Sequence, residues 1–531
     1  MALLTIESLS VSIGDKRILR GVSFALEAGQ VLGVVGESGS GKSMTALSIM
    51  GLLPQSGQAT GAITFEGQQL TTLSEAQLCR VRGARIGMVF QEPMTALNPV
   101  MTIGDQVAEV VRLHLGGSRK QALAAARRAL DRVGLPAARF PLERYPHELS
   151  GGQRPRVAIA IAIVLSPRLI IADEPTTALD VTTQAQILDL LRQLVREDGA
   201  ALILVSHDLA VVAEIADRVA VMKDGQIVEQ DETAALFANL THPYTRALAV
   251  DAARVPARRG TPDLTARPVL EAKGVVRDYP GPRRFLRKAP AFRAVSEVSL
   301  AIRPGEIVGL VGESGCGKST LLRTLLALEA PQGGQVELTG QPFSPTAPHA
   351  LRRHIQVVFQ DPHGSFDPRW TVERLVAEPL HLIGTKPTPA ERRAKVEKVL
   401  AQVGLPAEAA DRYPHQFSGG QRQRIAIARA LIVEPSVIAL DEAVSALDVT
   451  VRAEVLDLLA RLSDELGLAY LFVSHDMGVV RGLTDRVLVM QAGRIVEQGV
   501  TAEVFANPQH PYTAQLIAAT PDLARTLARL S

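Results

Sequence analysis

Short apolar runs alternate with longer amphipathic stretches along the chain, and the two patterns predict different elements. Val31–Val35 and Leu169–Ala172 are aliphatic and have the length of buried strands. Gln121–Val133 and Thr183–Glu197 repeat apolar residues at helical spacing. Strands that alternate with helices usually form a parallel sheet covered by helices. The pattern therefore predicts an α/β fold, with mainly helical insertions at residues 92–150 and 361–417.

The second part of the chain repeats the first. GESGSGKS at Gly36–Ser43 returns as GESGCGKS at Gly312–Ser319, and SGGQ, IVEQ and HPYT also occur twice in the same order. Self-similarity of this kind indicates a duplicated module. We predict a first domain at residues 1–250, a linker rich in Pro, Ala and Arg at residues 251–268, and a second domain at residues 269–531.

Composition and charge exclude several classes of protein. The 531 residues are 47% hydrophobic and 21% charged, which is typical of folded domains with sizeable cores. The 57 basic and 55 acidic side chains nearly cancel, so no nucleic-acid partner is expected. Two basic stretches, the linker and Gly281–Pro290, are interpreted as solvated loops, with contact to anionic lipid or a partner as the alternative.

Cysteine usage and hydropathy bear on location. The two cysteines, Cys79 and Cys316, lie far apart and give no sequence support for a disulfide, which fits a reducing compartment. Neither a signal-peptide pattern nor an apolar run near 18 residues is found, so we expect no membrane span. Any role at a membrane then requires a partner.

The repeated GxxxxGKS has the context of a phosphate-binding loop, because an apolar strand precedes it and a helical pattern follows. Its backbone amides and the following helix N-terminus bind phosphate oxygens. The lysine is expected to reach the β- and γ-phosphates, and the serine to ligate Mg²⁺. The loop residues are Gly36, Glu37, Ser38, Gly39, Ser40, Gly41, Lys42 and Ser43, and in the second copy Gly312, Glu313, Ser314, Gly315, Cys316, Gly317, Lys318, Ser319 and Thr320.

A pair of acids follows an apolar strand in each copy. Asp173 and Asp441 are predicted to enter the Mg²⁺ shell, and Glu174 and Glu442 to face the water that attacks the γ-phosphate. Alone, such acids are equally typical of a cap on the next helix. Their register with the two phosphate loops favours the catalytic interpretation.

Single polar residues recur after other strands. Gln91 and Gln360 end strand-like runs and are candidates to bind Mg²⁺ or orient water. His207 and His475, each in VSHD, are placed to hydrogen-bond the γ-phosphate. One such residue would more often be structural, and the recurrence in both halves argues for function.

The SGGQ segments present a hydroxyl and backbone donors at predicted helix starts. Each half already has a phosphate loop, so we expect each segment to complete the site of the other half. The residues are Ser150, Gly151, Gly152 and Gln153, with Ser418, Gly419, Gly420 and Gln421 in the second copy.

Together these motifs resemble the ATP-binding subunits of ABC transporters over nearly the whole chain. LSGGQ and FSGGQ look like the signature motif of that superfamily, and Ala178–Asp180 and Ala446–Asp448 look like its D-loops. The resemblance implies two P-loop NTPase domains, each with a RecA-like, mostly parallel sheet, an antiparallel β subdomain and a helical subdomain. It also implies that the two domains pair head to tail within the one chain, with ATP and Mg²⁺ between the phosphate loop of one and the signature of the other.

The subfamily resemblance is to importer ATPases for dipeptides, oligopeptides, nickel and glutathione, including fused, microcin-type ones. Its supporting stretches include FQEPMTALNP, FQDPHGSFDPR and the two HPYT tails. It implies hydrolysis of ATP to drive peptide import through two permease subunits fed by a periplasmic or lipoprotein binding protein. The expected location is peripheral, on the cytoplasmic face of the bacterial inner membrane. A soluble ABC-type machine without a permease and an importer of nickel or glutathione-like cargo are the alternatives.

Three positions depart from the family pattern. The aromatic residue that stacks on adenine in the family matches Tyr279, but the first copy has Ile13. Stacking contributes about 0.5–1.5 kcal/mol beyond burial, so the first site is expected to hold ATP more weakly. Ala443 replaces the proline found at Pro175, and little effect is expected. Pro155 stands in the first signature helix where the second has Gln423.

If the helix begins after Ser150, Pro155 is its fifth residue and removes a backbone hydrogen bond at a cost of up to about 3 kcal/mol. A shifted helix start, at no cost, is the equal alternative. Since this signature serves the other half, damage would fall on the site of Lys318. The resulting hypothesis of modest asymmetry predicts that Pro155→Gln raises ATPase activity, and an unchanged rate would show the proline to be neutral.

Overall fold

The fold is described from a computed structural model of the chain. The structure describes residues 2–530 except 92–95, 178, 257–259, 282, 285–286, 289–290, 385–386 and 446. Ala178 and Ala446 of the predicted D-loops therefore lie outside the described residues, as do five of the ten residues of the second basic stretch.

Each half contains a six-stranded sheet. Among the described strands, its only antiparallel pair is formed by the two strands that come last along the chain in that half. In the first half the order across the sheet is Gln226–Glu232, Arg218–Lys223, Val31–Val35, Ala201–Ser206, Leu169–Asp173 and Ile86–Val89. In the second half it is Ile355–Val358, Val437–Asp441, Ala469–Val473, Ile307–Val311, Arg486–Gln491 and Arg494–Val500. The central strands are buried on both faces, which explains their continuous apolar runs.

A separate antiparallel sheet lies beside each of these. It consists of Lys16–Leu26, Leu4–Ile13, Gly57–Phe65 and Gln68–Gln69 in the first half, and of Phe292–Ile302, Leu270–Tyr279, Gly333–Leu338 and Gln341–Pro342 in the second. A short hairpin pairs Arg283–Arg284 with Arg287–Lys288. The predicted α/β class, with parallel-sheet cores and antiparallel β subdomains, is confirmed.

Helices cover the parallel sheets and form the predicted helical insertions. Those of the first half are Lys42–Ile49, Glu75–Val81, Ile103–Leu115, Arg119–Arg132, Gln153–Ile163, Val181–Asp198, Leu209–Ile215, Thr233–Ala238 and Pro243–Ala253. Those of the second are Lys318–Leu325, His349–Arg352, Pro362–Ser365, Val372–Ala377, Pro389–Gln402, Gly419–Leu431, Val449–Leu466, Met477–Leu483, Thr501–Ala506, Pro511–Ala519 and Leu523–Leu530. Short 3₁₀ turns occur at Leu70–Thr72, Pro146–Glu148, Glu378–Leu382, Ala407–Asp411 and Pro414–Gln416.

Local capping decides where the long helices begin. The helix predicted from residue 121 starts at Arg119, because Ser118 and Gln121 form a capping box in which the Ser118 N–H donates to Gln121 Oε1 at 3.0 Å. The helix predicted from residue 183 starts at Val181, where Asp180 Oδ1 accepts from the Thr183 N–H at 2.9 Å. Both starts are two residues earlier than the apolar periodicity alone indicates.

The two halves exchange contacts at their ends. The last helix, Leu523–Leu530, packs on the first-half helix Leu209–Ile215, and Leu523 belongs to the core of that half. The helix Pro243–Ala253 packs on Val449–Leu466 of the second half, and Arg254 pairs with Asp457 at 2.6 Å. This helix continues past residue 250, so the predicted linker begins inside it, and the domain boundaries stay a prediction.

No helix in the described part of the chain combines the length and the apolar character needed to cross a bilayer.

The burial of Leu523 in the other half generates a prediction about stability. Leu523→Ala is expected to lower the free energy of unfolding by roughly 2 kcal/mol, since it removes a buried side chain that joins the halves. Leu328→Ala is the matched control, because Leu328 is 57% exposed. Chemical denaturation of the full chain measures both, and equal losses in the two variants would contradict the packing described.

Candidate active site

Each phosphate loop joins the end of a central strand to the start of a helix. The first runs from Val35 to Lys42, and glycine is required at Gly36, where an added Cβ would lie 2.2 Å from the Met222 carbonyl oxygen. In the second half, a Cβ added to Gly312 would likewise lie 2.2 Å from the Met490 carbonyl oxygen. The loop therefore lies against the neighbouring strand, in a path that only glycine allows.

Each loop encloses its own lysine. Lys42 Nζ donates to the carbonyl oxygens of Gly36 at 2.7 Å and Glu37 at 2.9 Å, and Lys318 Nζ donates to those of Gly312 at 2.6 Å and Glu313 at 2.9 Å. Burial lowers the pKa of Lys42, against the attraction of nearby carboxylates. The ammonium is thus held inside the loop, where a phosphate would replace the carbonyls.

The first acid of each pair lies at the end of a buried strand, beside the loop. Asp173 Oδ1 accepts from Ser43 Oγ at 3.1 Å, so two of the three predicted metal ligands of the first half meet. Burial raises the pKa of Asp173 to about 6. Burial also raises the pKa of Asp441, with a smaller contribution from neighbouring Glu442. Both carboxylates are costly to ionise unless a cation lies beside them.

The second acid of the first half collects polar partners from three elements. Its carboxylate atom Oε2 lies 2.9 Å from Thr177 Oγ1, 3.4 Å from Gln91 Nε2 and 3.4 Å from His207 Nδ1. Burial would raise the pKa of Glu174, but hydrogen bonds from His207 and Thr177 outweigh it and hold that pKa below its ordinary value. Gln91, Glu174 and His207 are therefore brought together in the first half.

In the second half, Glu442 Oε1 lies 3.2 Å from His475 Nδ1. Burial opposes ionisation of both groups, yet their interaction lowers the pKa of Glu442 and raises that of His475. The pair is thus favoured in its charged form. Gln360 is exposed, two residues beyond the end of its strand.

Both second acids have a left-handed backbone. The φ angle is 47° at Glu174 and 49° at Glu442. Their backbone amides still bond the neighbouring strand: the Glu174 N–H donates to the Val205 carbonyl at 3.0 Å, and the Glu442 N–H donates to the Val473 carbonyl at 2.9 Å. A left-handed non-glycine residue is strained and often occurs at functional sites. Here it turns the carboxylate out of the strand direction towards the histidine.

The two signature segments begin their helices differently. In the second, Ser418 is the N-cap, its Oγ accepts from the Gln421 N–H at 3.4 Å, and the helix starts at Gly419. In the first, Gly152 is the N-cap without a side-chain cap bond, and the helix starts at Gln153. The backbone path is nevertheless similar, because Gly152 has αR dihedral angles and the Arg154 N–H bonds the Ser150 carbonyl at 3.3 Å, as the Arg422 N–H bonds the Ser418 carbonyl at 2.9 Å. Pro155 therefore lacks the N–H that would have bonded the Gly151 carbonyl, which is the first of the two alternatives, and regular helical bonding begins only at Gln153.

The glycines in these segments also serve packing. A Cβ on Gly152 would lie 2.5 Å from Thr183 Cγ2, and one on Gly420 would lie 2.2 Å from Val451 Cγ1. The signature segment therefore lies directly against the helix that follows the D-loop in its own half. Ser150, Gly151, Ser418, Gly419 and Gln421 are exposed or half-buried around this contact.

The phosphate loops contact the opposite half. Asp180 Oδ2 accepts from the Ser314 N–H at 3.3 Å, and Thr450 Oγ1 donates to Glu37 Oε1 at 3.1 Å. Asp180 belongs to the first D-loop, and Thr450 lies two residues after Asp448 of the second. Each loop therefore faces the D-loop region of the other half.

Tyr279 and Ile13 occupy matching ends of the first strands of the two antiparallel sheets. The Tyr279 hydroxyl donates a hydrogen bond to Glu329 Oε2 at 2.8 Å, and the Arg277 guanidinium lies 5.0 Å from the centroid of the Tyr279 ring. Its strand partner Phe292 is 64% exposed. The aromatic surface is thus confined to the second half, as the sequence indicates.

Some site residues were missed by sequence reasoning. Thr177 bonds the catalytic candidate Glu174, and Tyr244 and Tyr512 bond the two phosphate loops. The tyrosines lie in the HPYT repeats, whose recurrence is a signal that could have flagged them. A hydroxyl also recurs at the position of Thr177, as Ser445, but Ser445 Oγ donates to the Glu442 carbonyl oxygen at 2.9 Å rather than to the carboxylate.

Parallel strands that end in phosphate loops and acid pairs define a P-loop NTPase, and reciprocal contacts between two copies define one of the paired kind. The family comparisons agree. The "ABC transporter" model matches residues 19–177 and 295–445, and the "Oligopeptide/dipeptide transporter, C-terminal region" model matches residues 228–269 and 496–531. The chain belongs to the ATP-binding proteins of the ABC transporters, which bind ATP and couple its hydrolysis to transport.

Individual relatives are similar over almost the full length. The glutathione import ATP-binding protein GsiA of Escherichia coli strain K12 is 46% identical, over 98% of this chain and 89% of its own. GsiA of Shigella sonnei has the same identity and coverage, 46%, 98% and 89%. Among solved structures, cbiO1 of Clostridium perfringens, part of an ABC transporter complex, is 29% identical over 45% of this chain and 91% of its own, with a TM-score of 0.40.

The preserved backbone path changes the expectation for the proline. Pro155→Gln is now expected to leave the ATPase rate unchanged within about twofold, because the Gly151–Gly152 backbone already follows the helical path without the one missing bond. Gln423→Pro is the matched reverse change, and it is expected to cost up to about 3 kcal/mol of stability since it falls fifth in its helix. ATPase assays and denaturation of both variants measure this, and a clear gain in rate for Pro155→Gln would restore the original hypothesis.

Proposed function

We propose that the chain energises the import of short peptides or peptide-like cargo through a pair of membrane-embedded permease subunits. The carrying observation is the reciprocal contact of each phosphate loop with the other half, combined with the match to the C-terminal region of oligopeptide and dipeptide transporters. The identity to proteins named for glutathione import makes a glutathione-sized peptide the favoured cargo. A separate binding protein outside the membrane would select it.

The location follows from these partners. The chain would lie on the cytoplasmic face of the bacterial inner membrane and reach it only through the permeases. A soluble ATPase machine without a permease is the second candidate. Co-purification decides between them: capture of the tagged chain with two membrane proteins supports import, and capture without them from detergent-solubilised membranes contradicts it.

We infer two composite ATP sites. One combines Lys42, Gln91, Asp173, Glu174 and His207 with Ser418, Gly420 and Gln421. The other combines Lys318, Gln360, Asp441, Glu442 and His475 with Ser150, Gly152 and Gln153. The D-loop contacts support this pairing, because they place the opposite half beside each phosphate loop.

The donor atoms near each lysine fit a magnesium ion. Ser43 Oγ and Asp173 Oδ1 lie 3.1 Å apart, and hard oxygen donors of this kind suit Mg²⁺. Ser43, Asp173 and Gln91 would hold it in the first half, and Ser319, Asp441 and Gln360 in the second. When bound, the ion supplies positive charge to the phosphate oxygens.

The chain's own residues would perform the remaining steps. The lysine exchanges the loop carbonyls for phosphate oxygens, and the opposite signature closes over the nucleotide. Glu174 and Glu442 stay ionised because of their histidine partners, so each can accept a hydrogen bond from the attacking water. The histidine then lies where it can contact the γ-phosphate. Loss of that phosphate removes the charge that holds the two halves together, so the halves separate. The helical insertions transmit this movement to the permease.

Removal of the carboxylate tests these roles. Glu174→Gln and Glu442→Gln are each expected to lower ATP hydrolysis and transport by roughly 100-fold or more while ATP binding persists, because the amide cannot take the proton of water. Glu503→Gln, at an exposed position, is the control. Uptake by the reconstituted transporter measures this, and normal uptake in either variant would contradict coupling of two sites.

The pKa of Asp173 predicts a pH effect on stability without metal. The folded-state value of about 6 exceeds the ordinary 3.8, so stability from this group is full below about pH 4 and is lost as pH rises through 6. The loss is expected to reach about 3 kcal/mol. Denaturation of wild type and Asp173→Asn between pH 4 and 7, in chelator and then in Mg²⁺, measures it. Parallel curves for the two proteins in chelator would refute the assignment.

A further inference from the structure

Each phosphate loop is held by a tyrosine from the HPYT segment of its own half. Tyr244 Oη accepts from the Glu37 N–H at 3.1 Å, and Tyr512 Oη accepts from the Glu313 N–H at 2.9 Å. Both tyrosines are buried. The same bond is made twice from segments 268 residues apart in sequence, which two unrelated packing accidents would not produce.

The bond falls on the peptide that also holds the lysine. The peptide between Gly36 and Glu37 presents its carbonyl to Lys42 Nζ at 2.7 Å and its N–H to Tyr244. The corresponding peptide of the second half presents its carbonyl to Lys318 Nζ at 2.6 Å and its N–H to Tyr512. Because a peptide is planar, a flip would break both bonds together. Once the lysine has turned to a phosphate, the tyrosine is the remaining bond described on that peptide.

A second repeated motif fixes the tyrosine. His242 Nδ1 accepts from the Tyr244 N–H at 3.2 Å, which starts the helix Pro243–Ala253. Glu229 of IVEQ in turn accepts from the N–H groups of Thr241 at 2.8 Å and His242 at 3.3 Å. The motifs IVEQ and HPYT are thus parts of one arrangement.

The second half repeats that arrangement. His510 Nδ1 accepts from the Tyr512 N–H at 3.2 Å, and Glu497 accepts from the N–H groups of Gln509 at 2.8 Å and His510 at 3.0 Å. Burial would raise the pKa of Glu497, but these bonds and one from Thr513 lower it, so the carboxylate is ionised when it supports the turn. A strand, a turn and a phenol therefore connect the edge of the sheet to the phosphate loop.

The chemistry of the phenol suits a fixed acceptor. Burial raises the pKa of Tyr244 to about 12 and also raises that of Tyr512, so both stay neutral at physiological pH. A neutral phenol accepts from the loop amide without placing a negative charge beside the phosphates of ATP. Lys223 Nζ lies 4.7 Å from the centroid of the Tyr244 ring and helps to fix the ring.

We propose that Tyr244 and Tyr512 are positioning residues for ATP, which keep the first peptide of each phosphate loop in its binding orientation when the lysine moves to the phosphates. The inference rests on the proposed roles of Lys42 and Lys318. It assigns to the C-terminal segment of each half a direct part in nucleotide affinity.

The test uses the full chain with Tyr244→Phe, Tyr512→Phe and the double change. Each single change is expected to raise the KM and Kd for MgATP about three- to tenfold at its site, which corresponds to one hydrogen bond, with kcat changed less than about twofold. The unfolding midpoint without nucleotide should stay the same, since the ring remains. Tyr145→Phe and Tyr413→Phe are matched controls at exposed tyrosines and should behave as wild type.

Unchanged KM and Kd in the double variant would overturn the proposal. This holds even if the unfolding midpoint falls, because the hydroxyl would then contribute only to stability. Lys42→Ala and Lys318→Ala distinguish failure of the tyrosine proposal from failure of the proposed ATP sites. If both lysine variants bind MgATP normally, the ATP sites themselves are wrongly assigned. If a Tyr→Phe variant fails to fold, Glu229→Ala, which loosens the turn and leaves the ring, takes its place. A raised Kd there supports the proposal, and an unchanged one overturns it.

Discussion

The buried lysine ammonium is the constraint on which each active site depends. An ammonium that leaves water needs acceptors around it, and in both halves these are two loop carbonyls. To present them the loop must curl tightly against the next strand, which requires glycine at Gly36 and Gly312. The curled loop leads directly into a helix N-terminus, which favours an anion, and the acids at the neighbouring strand end complete the charge balance. Loop shape, glycine placement and acid pairing follow from one buried charge.

Reciprocity between the halves is the second consequence. Asp180 uses one carboxylate oxygen to cap its own helix and the other to bond the loop of the opposite half. A movement of that helix therefore moves a group at the other ATP site. The crossed contacts of Leu523 and Arg254 with the opposite half tie the chain together at a distance from the loops. The two phosphate loops are thus linked through the helices that carry these residues.

The two sites differ in detail although their catalytic groups are all present. The strand end that the family resemblance assigns to adenine has Tyr279 and Phe292 in one half and Ile13 in the other. Only one signature helix has a serine cap, and Pro155 stands in place of Gln423, whose amide nitrogen is buried without a hydrogen-bond partner. The proline therefore removes a buried polar group at the cost of one backbone hydrogen bond, to the Gly151 carbonyl. These differences lie outside the acid–histidine pairs, which both halves retain.

The sequence by itself determined the duplicated α/β fold, the phosphate loops, the acid pairs and the family. These depend on local patterns, namely apolar strand runs, glycine spacing and repeated motifs, which are legible without coordinates. Val31–Val35 has the predicted bounds, and helix starts differ only where Ser118 and Asp180 act as caps. Only the tertiary structure decided that the signature backbone stays helical ahead of Pro155, that Tyr244 and Tyr512 hold the loops, and that the last helix packs on the opposite half. Those features join residues far apart along the chain, and their free energies depend on burial and on partners that no local pattern specifies.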